Sequence, residues 1–133
     1  MKDEWETPQE LFDELDKEFD FDLDPCCTYQ NKKCAGYNTK EENGLRQPWY
    51  GNVFMNPPYS RGNIDKWVER AYNAIKNKEC NLVVGLLRVD TSTNWFHNFI
   101  YNKAEIRFIK GRVKFSNSAN SPPFASMIVI WRA

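Results

Sequence analysis

The sequence has few of the residues that build metal centres, because it holds one histidine, His97, and four cysteines without paired spacing. Structural zinc sites usually combine closely spaced pairs of cysteines, or cysteines with several histidines. We therefore expect no metal site. Since thiols stay reduced in the cytoplasm, we also expect free cysteines at positions 26, 27, 34 and 80.

Long apolar runs are also missing, and this lack bears on where the protein acts. No stretch approaches the roughly 20 apolar residues of a membrane span, and the acidic start MKDEWETPQE contains no apolar signal sequence. We expect a cytoplasmic protein without a membrane partner. With 41% hydrophobic and 27% charged residues, the chain has the composition of a single globular domain, 1–133.

A net charge is missing as well, yet the charges are unevenly distributed. Residues 1–60 contain 6 basic and 13 acidic residues, whereas residues 61–133 contain 12 basic and 5 acidic ones. A basic half suits a polyanion such as a nucleic acid, and segregated but solvated surface charge is the alternative. The aromatic content of 15% fits either a ring-rich core or a pocket for a flat ligand.

Helical and strand patterns alternate along the chain, which favours an α/β sheet with helices on both faces. The sequence Thr7-Pro8-Gln9-Glu10 has the form of a capping box and predicts that Thr7 caps the first helix. The predicted elements are a helix over 8–18, strands over 21–24 and 53–55, a helix capped by Asn63, a strand over 82–87, a helix capped by Ser92 or Thr93, a hairpin or bent strand pair of 106–109 with 113–115, and a strand over 127–131. The stretch 26–50 is predicted as loop, with a short strand near Tyr37.

The tetrapeptide Asn56-Pro57-Pro58-Tyr59 follows a predicted strand, at the edge where ligands bind in such sheets. Two prolines make the turn rigid, so that the Asn56 side-chain oxygen and the Pro58 carbonyl can accept hydrogen bonds from one amino group. Holding both hydrogens of an aromatic amine frees its lone pair, while Tyr59 offers a flat face for a base. These four residues are candidate catalytic residues, with a plain proline-closed strand end as the alternative.

The tetrapeptide resembles motif IV of methyltransferases that act on the adenine amine, although enzymes that methylate protein glutamine carry it too. More of the chain resembles the phage-type DNA N-6-adenine methyltransferase (Dam) family, in the same order; these stretches are Trp5-Glu6-Thr7-Pro8, Leu23-Asp24-Pro25-Cys26, Asn43-Gly44-Leu45 with Trp49, Trp95-Phe96-His97, Arg107 to Arg112 with Phe115, and Pro123-Phe124-Ala125-Ser126. The resemblance implies a compact Rossmann-like methyltransferase fold of three αβα layers, with S-adenosylmethionine as methyl donor and DNA as substrate. It leaves the oligomeric state open.

The resemblance also assigns residues to the methyl donor. It puts the Thr7-Pro8 turn near the donor's methionine end, and the Asp24 carboxylate near its ammonium group. Asn43 stands where the family more often has aspartate, in a stretch that lies against the donor's adenine. The chain lacks the GxGxxG loop of many methyltransferases. The candidate donor-binding residues are Trp5, Thr7, Pro8, Asp24, Pro25, Cys26, Asn43, Gly44 and Leu45.

Basic residues near the tetrapeptide and in the second half are candidate DNA contacts. Arg61, Lys110, Arg112 and Lys114 would contact phosphates, and Phe124 would line the base pocket; an ordinary turn or solvated surface is the alternative for each. In the implied reaction adenine flips out of the duplex, and neither a metal nor a cysteine nucleophile takes part. Rival interpretations are a methyltransferase of RNA or protein glutamine, and an inactive nucleic-acid-binding relative.

Overall fold

The computed structural model describes residues 3–133, which form a six-stranded sheet flanked by helices. The helices are α1 (Gln9–Phe19), α2 (Ile64–Lys76) and α3 (Asn94–Phe99). The strands are β1 (Leu23–Cys27), β2 (Gly36–Thr39), β3 (Asn52–Met55), β4 (Leu82–Arg88), β5 (Glu105–Phe108) and β6 (Ser126–Arg132). A short 3-10 turn covers Gly44–Arg46.

The strands lie in the order β2-β1-β3-β4-β6-β5. The first four of these are parallel, while β6 runs antiparallel between β4 and β5. The chain leaves β1 for β2 on one side and returns to β3 on the other side, so the connections diverge between β1 and β3. In open α/β sheets, ligands bind at the carboxyl ends of the strands at such a point.

Helices cover both faces of the sheet. On one face, the ring of Phe54 in β3 meets Phe12 of α1 with centroids 5.2 Å apart. On the other face, Met55 and Trp131 both pack against Gly85 of β4, and the Trp131 indole donates a hydrogen bond to a backbone carbonyl of α3 at 2.8 Å. Because neighbouring strand residues point to opposite faces, the predicted αβα layering is confirmed.

Most predicted elements are present, with small shifts at their ends. α1 begins and ends one residue later than predicted, and β2 is the short strand expected near Tyr37. β1 begins two residues late and continues past Pro25 to Cys27, where its register against β2 is irregular. Thr93 caps α3, since its hydroxyl accepts from the Phe96 amide at 3.3 Å.

Of the predicted helix caps, Thr7 is wrong, whereas Asn63 is the N-cap residue of α2 as predicted but makes no capping hydrogen bond through its side chain. Pro8 is the N-cap of α1 and makes no side-chain hydrogen bond there, whereas the Thr7 hydroxyl accepts a hydrogen bond from Asn56. Asn63 does not cap α2 through its side chain, which donates to the Ser60 hydroxyl at 2.8 Å. At Thr7 a side chain 49 residues away replaces the local backbone amide, and at Asn63 the partner is a side chain three residues earlier.

The predicted pairing of 106–109 with 113–115 is also wrong. β5 pairs with β6, and residues 113–115 form no strand. Val113 and Phe115 are buried, and the amide of Ser116 donates to the Glu6 carbonyl at 2.9 Å, so this segment packs against the N-terminal segment instead. Among residues 3–133, no helix has the length and apolarity to cross a bilayer.

Candidate active site

A cavity of about 630 Å³ opens at the carboxyl ends of β1 and β3. It lies where the connections of the sheet diverge, and its volume is ordinary for a small-molecule site. Its charged lining residues are the acidic Asp3, Glu4, Glu6, Asp24 and Glu41 and the basic Lys33 and Lys40. Acidic side chains therefore outnumber basic ones, so the cavity favours a cationic ligand.

Asn56, the first residue after β3, lines the cavity and carries a hydrogen-bond acceptor of fixed orientation. Its amide nitrogen donates to the Thr7 hydroxyl at 2.8 Å and to the Trp5 carbonyl. Because a carbonyl oxygen only accepts, the amide nitrogen must face Trp5, and the side-chain oxygen must point elsewhere. That oxygen is buried, and no group among residues 3–133 donates to it. A ligand with an N–H group would supply the missing donor.

The proline corner after Asn56 is held from two sides. Pro57 and Pro58 both line the cavity, and none of the described residues donates to the Pro58 carbonyl oxygen. The next amide, that of Tyr59, donates to the Asp3 carbonyl at 3.0 Å. The Arg88 guanidinium donates to the Tyr59 carbonyl at 3.1 Å. The corner thus offers a second acceptor beside Asn56 in a backbone with little freedom.

The ring of Tyr59 lies behind this corner and is not part of the cavity wall. The residue is 4% exposed, and its hydroxyl donates to the Leu86 carbonyl at 2.6 Å. Phe124 and Phe115 meet the ring edge-on, with centroids 5.4 and 6.4 Å away. Burial raises the pKa of Tyr59 well above its ordinary value. The aromatic face considered for base stacking is therefore enclosed in this structure.

Asp24, the second residue of β1, carries a buried carboxylate and lines the cavity. Its two oxygens accept from the backbone amides of Lys33 at 3.2 Å and Cys26 at 3.4 Å. Burial raises the pKa of Asp24 from 3.8 to about 6, and these amides offset only part of that effect. A cationic group in the cavity would lower the pKa again. Asp24 therefore has the position and chemistry to hold an ammonium group.

The stretch around Gly44 forms another wall of the cavity and is anchored from behind. Asn43 adopts a left-handed φ of 56°, and its side-chain oxygen accepts from the Leu45 amide at 3.3 Å. The indole of buried Trp49 donates to the Gly44 carbonyl at 2.9 Å. Arg70 of α2 donates to the Leu45 carbonyl at 3.2 Å and stacks its guanidinium over the Trp49 ring. The position of this wall thus depends on α2.

Comparison with known proteins identifies the family. The family model described as DNA N-6-adenine-methyltransferase (Dam) matches residues 1–133. The chain belongs to this family. The resemblance of the sequence motifs to the Dam family is therefore confirmed over the whole chain.

Two phage proteins named DNA N-6-adenine-methyltransferase are similar to this Dam-family chain. It is 40% identical over 123 residues to the protein of Haemophilus phage HP1, covering 88% of this chain and 68% of that protein. It is 35% identical over 113 residues to the protein of Escherichia phage T1, covering 83% of this chain and 46% of that protein. This chain thus matches less than half the length of the T1 protein.

A solved structure shares the fold. It is that of a candidate RNA methyltransferase from Pyrococcus horikoshii, which superposes with a TM-score of 0.51 at 9% identity. The match covers 74% of this chain and 50% of that one. At such low identity the likeness supports the Rossmann-like methyltransferase fold of the Dam-family chain and says nothing of its substrate.

The candidate donor-binding residues of this Dam-family chain meet at the cavity, with one exception. Those that line it are Trp5, Thr7, Asp24, Pro25, Cys26, Asn43, Gly44 and Leu45. Pro8 instead borders a second hollow with Leu11 and Lys114. Burial raises the pKa of the Cys26 thiol well above its ordinary value. No cluster of three or more metal-ligating side chains occurs within 3–133.

The candidate DNA contacts lie outside the cavity lining. The four basic ones, Arg61, Lys110, Arg112 and Lys114, are exposed. Phe124 is half-buried and packs against both Tyr59 and Trp5, with centroids 5.4 and 5.2 Å away. The segment that follows Lys114 thus contacts Tyr59, at the end of the proline corner, through the ring of Phe124.

Sequence reasoning missed two arginines that hold this site, Arg70 behind the Gly44 wall and Arg88 behind the proline corner. Arg88 also pairs with Asp90 at 2.5 Å, and the neighbouring Arg88 guanidinium lowers the pKa of that carboxyl. A signal for Arg88 was present, since it directly follows the apolar run 82–87. Because β3 and β4 are parallel, a cation at the carboxyl end of β4 lies at the same edge of the sheet as the tetrapeptide that follows β3.

Proposed function

We propose that this Dam-family chain transfers a methyl group from S-adenosylmethionine to N6 of an adenine that has rotated out of DNA. The observation that carries the proposal is the buried side-chain oxygen of Asn56. Asn56 lines the cavity, and this oxygen has no donor among residues 3–133. The exocyclic amine of adenine supplies the N–H that this acceptor lacks.

The cavity has the size and charge for the methyl donor. S-adenosylmethionine is a cation, and the wall carries more acidic than basic side chains. Asp24 would hold its ammonium group, and the stretch from Asn43 to Leu45 would contact its adenine. When bound, S-adenosylmethionine would supply a methyl group on a positively charged sulfur; the sulfur would remain as a neutral thioether, and the methylated nitrogen would release one proton to solvent.

The residues of the chain itself would act on the amine. Asn56 and the Pro58 carbonyl would each accept one N6 hydrogen, which orients the nitrogen lone pair for transfer. Both acceptors are ordered before substrate arrives, because the prolines restrict the backbone and Thr7 holds the Asn56 amide. Positioning of this kind accounts for a large part of enzymatic rate enhancement. Methyl transfer to nitrogen needs no covalent enzyme intermediate, so the protonated Cys26 thiol has no catalytic part.

DNA would bind this chain through its phosphate backbone and through the flipped base. An adenine inside the duplex cannot reach the cavity, so it must leave the base stack. The exposed Arg61, Lys110, Arg112 and Lys114 would contact phosphates. The flipped base would stack on Tyr59. Phe124 must then move, because the Phe124 ring packs against Tyr59.

Methyl transfer from radiolabelled S-adenosylmethionine tests the proposal directly. The chain is incubated with adenine-containing DNA, with RNA of the same sequence, and with a glutamine-rich peptide. We expect label in the DNA arm, and N6-methyladenine as the labelled nucleoside after digestion. Label only in RNA or peptide, or binding of DNA without any transfer, would contradict the proposal and support one of the rival interpretations.

A further inference from the structure

The N-terminal segment 3–7 is fixed between the proline corner and residues 116–117. The Asp3 carbonyl accepts from the Tyr59 amide at 3.0 Å. The Asn117 side chain accepts from the Glu6 amide at 2.8 Å and donates to the Glu4 carbonyl at 3.0 Å. The segment therefore has its own attachments on both sides, and the residue at its end is held at a defined place beside β3.

Thr7 ends this segment and is 5% exposed. A threonine before a helix usually caps it, but the hydroxyl of Thr7 accepts a hydrogen bond from the Asn56 amide nitrogen at 2.8 Å. The Trp5 carbonyl accepts from the same nitrogen. A side-chain amide has two N–H groups, so these two acceptors occupy both of them. The rotation of the Asn56 amide is thereby fixed, with its oxygen on the side without a partner.

We infer that Thr7 is a positioning residue for methyl transfer, which holds the Asn56 amide so that its oxygen faces the amine of the substrate. This inference rests on the proposed function. Without the Thr7 hydroxyl, one N–H of Asn56 loses its acceptor in a buried place, which is costly. The amide is then held by the Trp5 carbonyl alone and can turn about that single hydrogen bond, which moves its oxygen out of line with the substrate amine.

Two substitutions at this position separate positioning from contact with the methyl donor. Thr7→Val keeps the shape and removes the acceptor, while Thr7→Ser keeps the hydroxyl. At saturating S-adenosylmethionine and DNA, we expect Thr7→Val to lower kcat about tenfold or more, since one lost hydrogen bond has that scale. Thr7→Ser should recover most of that loss, and Thr91→Val, an exposed site outside the cavity lining, should retain full activity.

Calorimetry of S-adenosylmethionine binding without DNA supplies the second measurement. We expect Thr7→Val to change the donor Kd by less than about threefold. A large rise in Kd with unchanged kcat would overturn the inference and make Thr7 a donor contact. An equal loss of kcat in Thr7→Val and Thr7→Ser would also overturn it. If Thr7→Val fails to fold, the pair Thr7→Ala and Thr7→Ser, which differ by the hydroxyl alone, makes the same comparison.

An NMR measurement is independent of activity. The side-chain NH₂ signals of Asn56, assigned by their loss in Asn56→Ala, should exchange slowly with solvent in the wild type and in Thr7→Ser, and rapidly in Thr7→Val. If the wild type fails to methylate adenine, the proposed function fails, while these signals still report whether Thr7 holds the amide. Slow exchange in all three proteins would overturn the role of Thr7 even in an active enzyme.

Discussion

A β-carbon on Gly44 would lie 1.9 Å from the carbonyl oxygen of Pro25. No side chain fits in that space, so the turn that forms one wall of the cavity rests directly on the backbone of β1. The same strand carries Asp24, which also lines the cavity. One close backbone contact thus sets the distance between the two walls that would hold the ends of the methyl donor.

Gly44→Ala should weaken donor binding. The added methyl group must push the turn away from Pro25, and such overpacking costs about 1–3 kcal/mol. We expect the Kd for S-adenosylmethionine to rise by about tenfold, measured by calorimetry. Gly111→Ala is the control, because its β-carbon meets nothing within 4 Å although its φ of 76° adds strain. Equal donor affinity in the two variants would refute the importance of the Gly44 contact.

Asn56→Ala should abolish most methyl transfer and spare donor binding. The substitution removes the acceptor proposed for the amine, and loss of one well-placed polar group in an active site lowers kcat about 10²–10³-fold. Single-turnover transfer to DNA measures this, and calorimetry measures the donor Kd. Asn98→Ala, at an exposed site in α3, controls for general effects of the substitution. Activity within tenfold of wild type would exclude the role given to Asn56.

The sequence predicted β3, β4 and the turn after β3 because these features depend on local pattern. The apolar runs of β3 and β4 and the rigid prolines determine structure over a few residues. Thr7 shows where this reasoning stops. Its capping box is a good local signal, yet its hydroxyl bonds Asn56, 49 residues away. A distant partner that competes with a backbone amide leaves no trace in the spacing of residues.

Tyr59 shows the same limit of prediction from sequence, because a distant segment determines its surroundings. The tetrapeptide indicated an aromatic ring beside the ligand, but the covering segment 115–124 was predicted to begin as a strand of a hairpin. Because that segment packs on the N-terminal segment, its rings enclose Tyr59. Arg70 was missed for a related reason: its partners, such as the Leu45 carbonyl and Glu79, come together only in the folded chain.

Tyr59→Phe should destabilise the fold even though the ring remains. The substitution leaves the Leu86 carbonyl, deep in β4, without the hydrogen bond it accepts at 2.6 Å. An unsatisfied buried acceptor costs about 1–3 kcal/mol, which urea unfolding measures. Tyr101→Phe, at a residue 53% exposed, should change the unfolding free energy by less than about 0.5 kcal/mol. Equal stability of both variants would mean that the buried hydroxyl contributes nothing.

Asp24 should give the free protein a pH dependence with opposite signs for stability and donor binding. Its pKa in the folded chain is about 6, above the ordinary 3.8, so the folded state binds this proton more tightly. Asp24 then favours folding more as pH falls from 7 through 6 toward 4, by about 3 kcal/mol in total. Donor affinity should fall over the same range, because protonation removes the charge that would hold the ammonium group.

Comparison with Asp24→Asn isolates this effect from the other carboxylates. Arginine partners lower the pKa of Glu18, Glu79 and Glu105, and those groups change stability in the opposite direction. Unfolding free energies of both proteins at pH 7 and pH 5 give the difference due to Asp24. We expect the free energy of unfolding of the wild type to rise relative to that of the variant as pH falls. Donor affinity should depend on pH only in the wild type. A constant difference would refute the raised pKa.

The salt dependence of DNA binding should show whether the exposed basic residues contact phosphates. If Arg112 and Lys114 each contact one phosphate of duplex DNA, the slope of log K against log salt concentration is less steep by about 0.9 for each contact removed. Arg112→Gln and Lys114→Gln should therefore each lower the slope by that amount and lower kcat at saturating DNA little, since neither residue lines the cavity. Lys17→Gln, an exposed lysine on α1, is the control and should leave the slope unchanged. An equal change in all three variants would mean that the charge acts through the overall field of the protein, and that the turn around Gly111 is not a DNA contact.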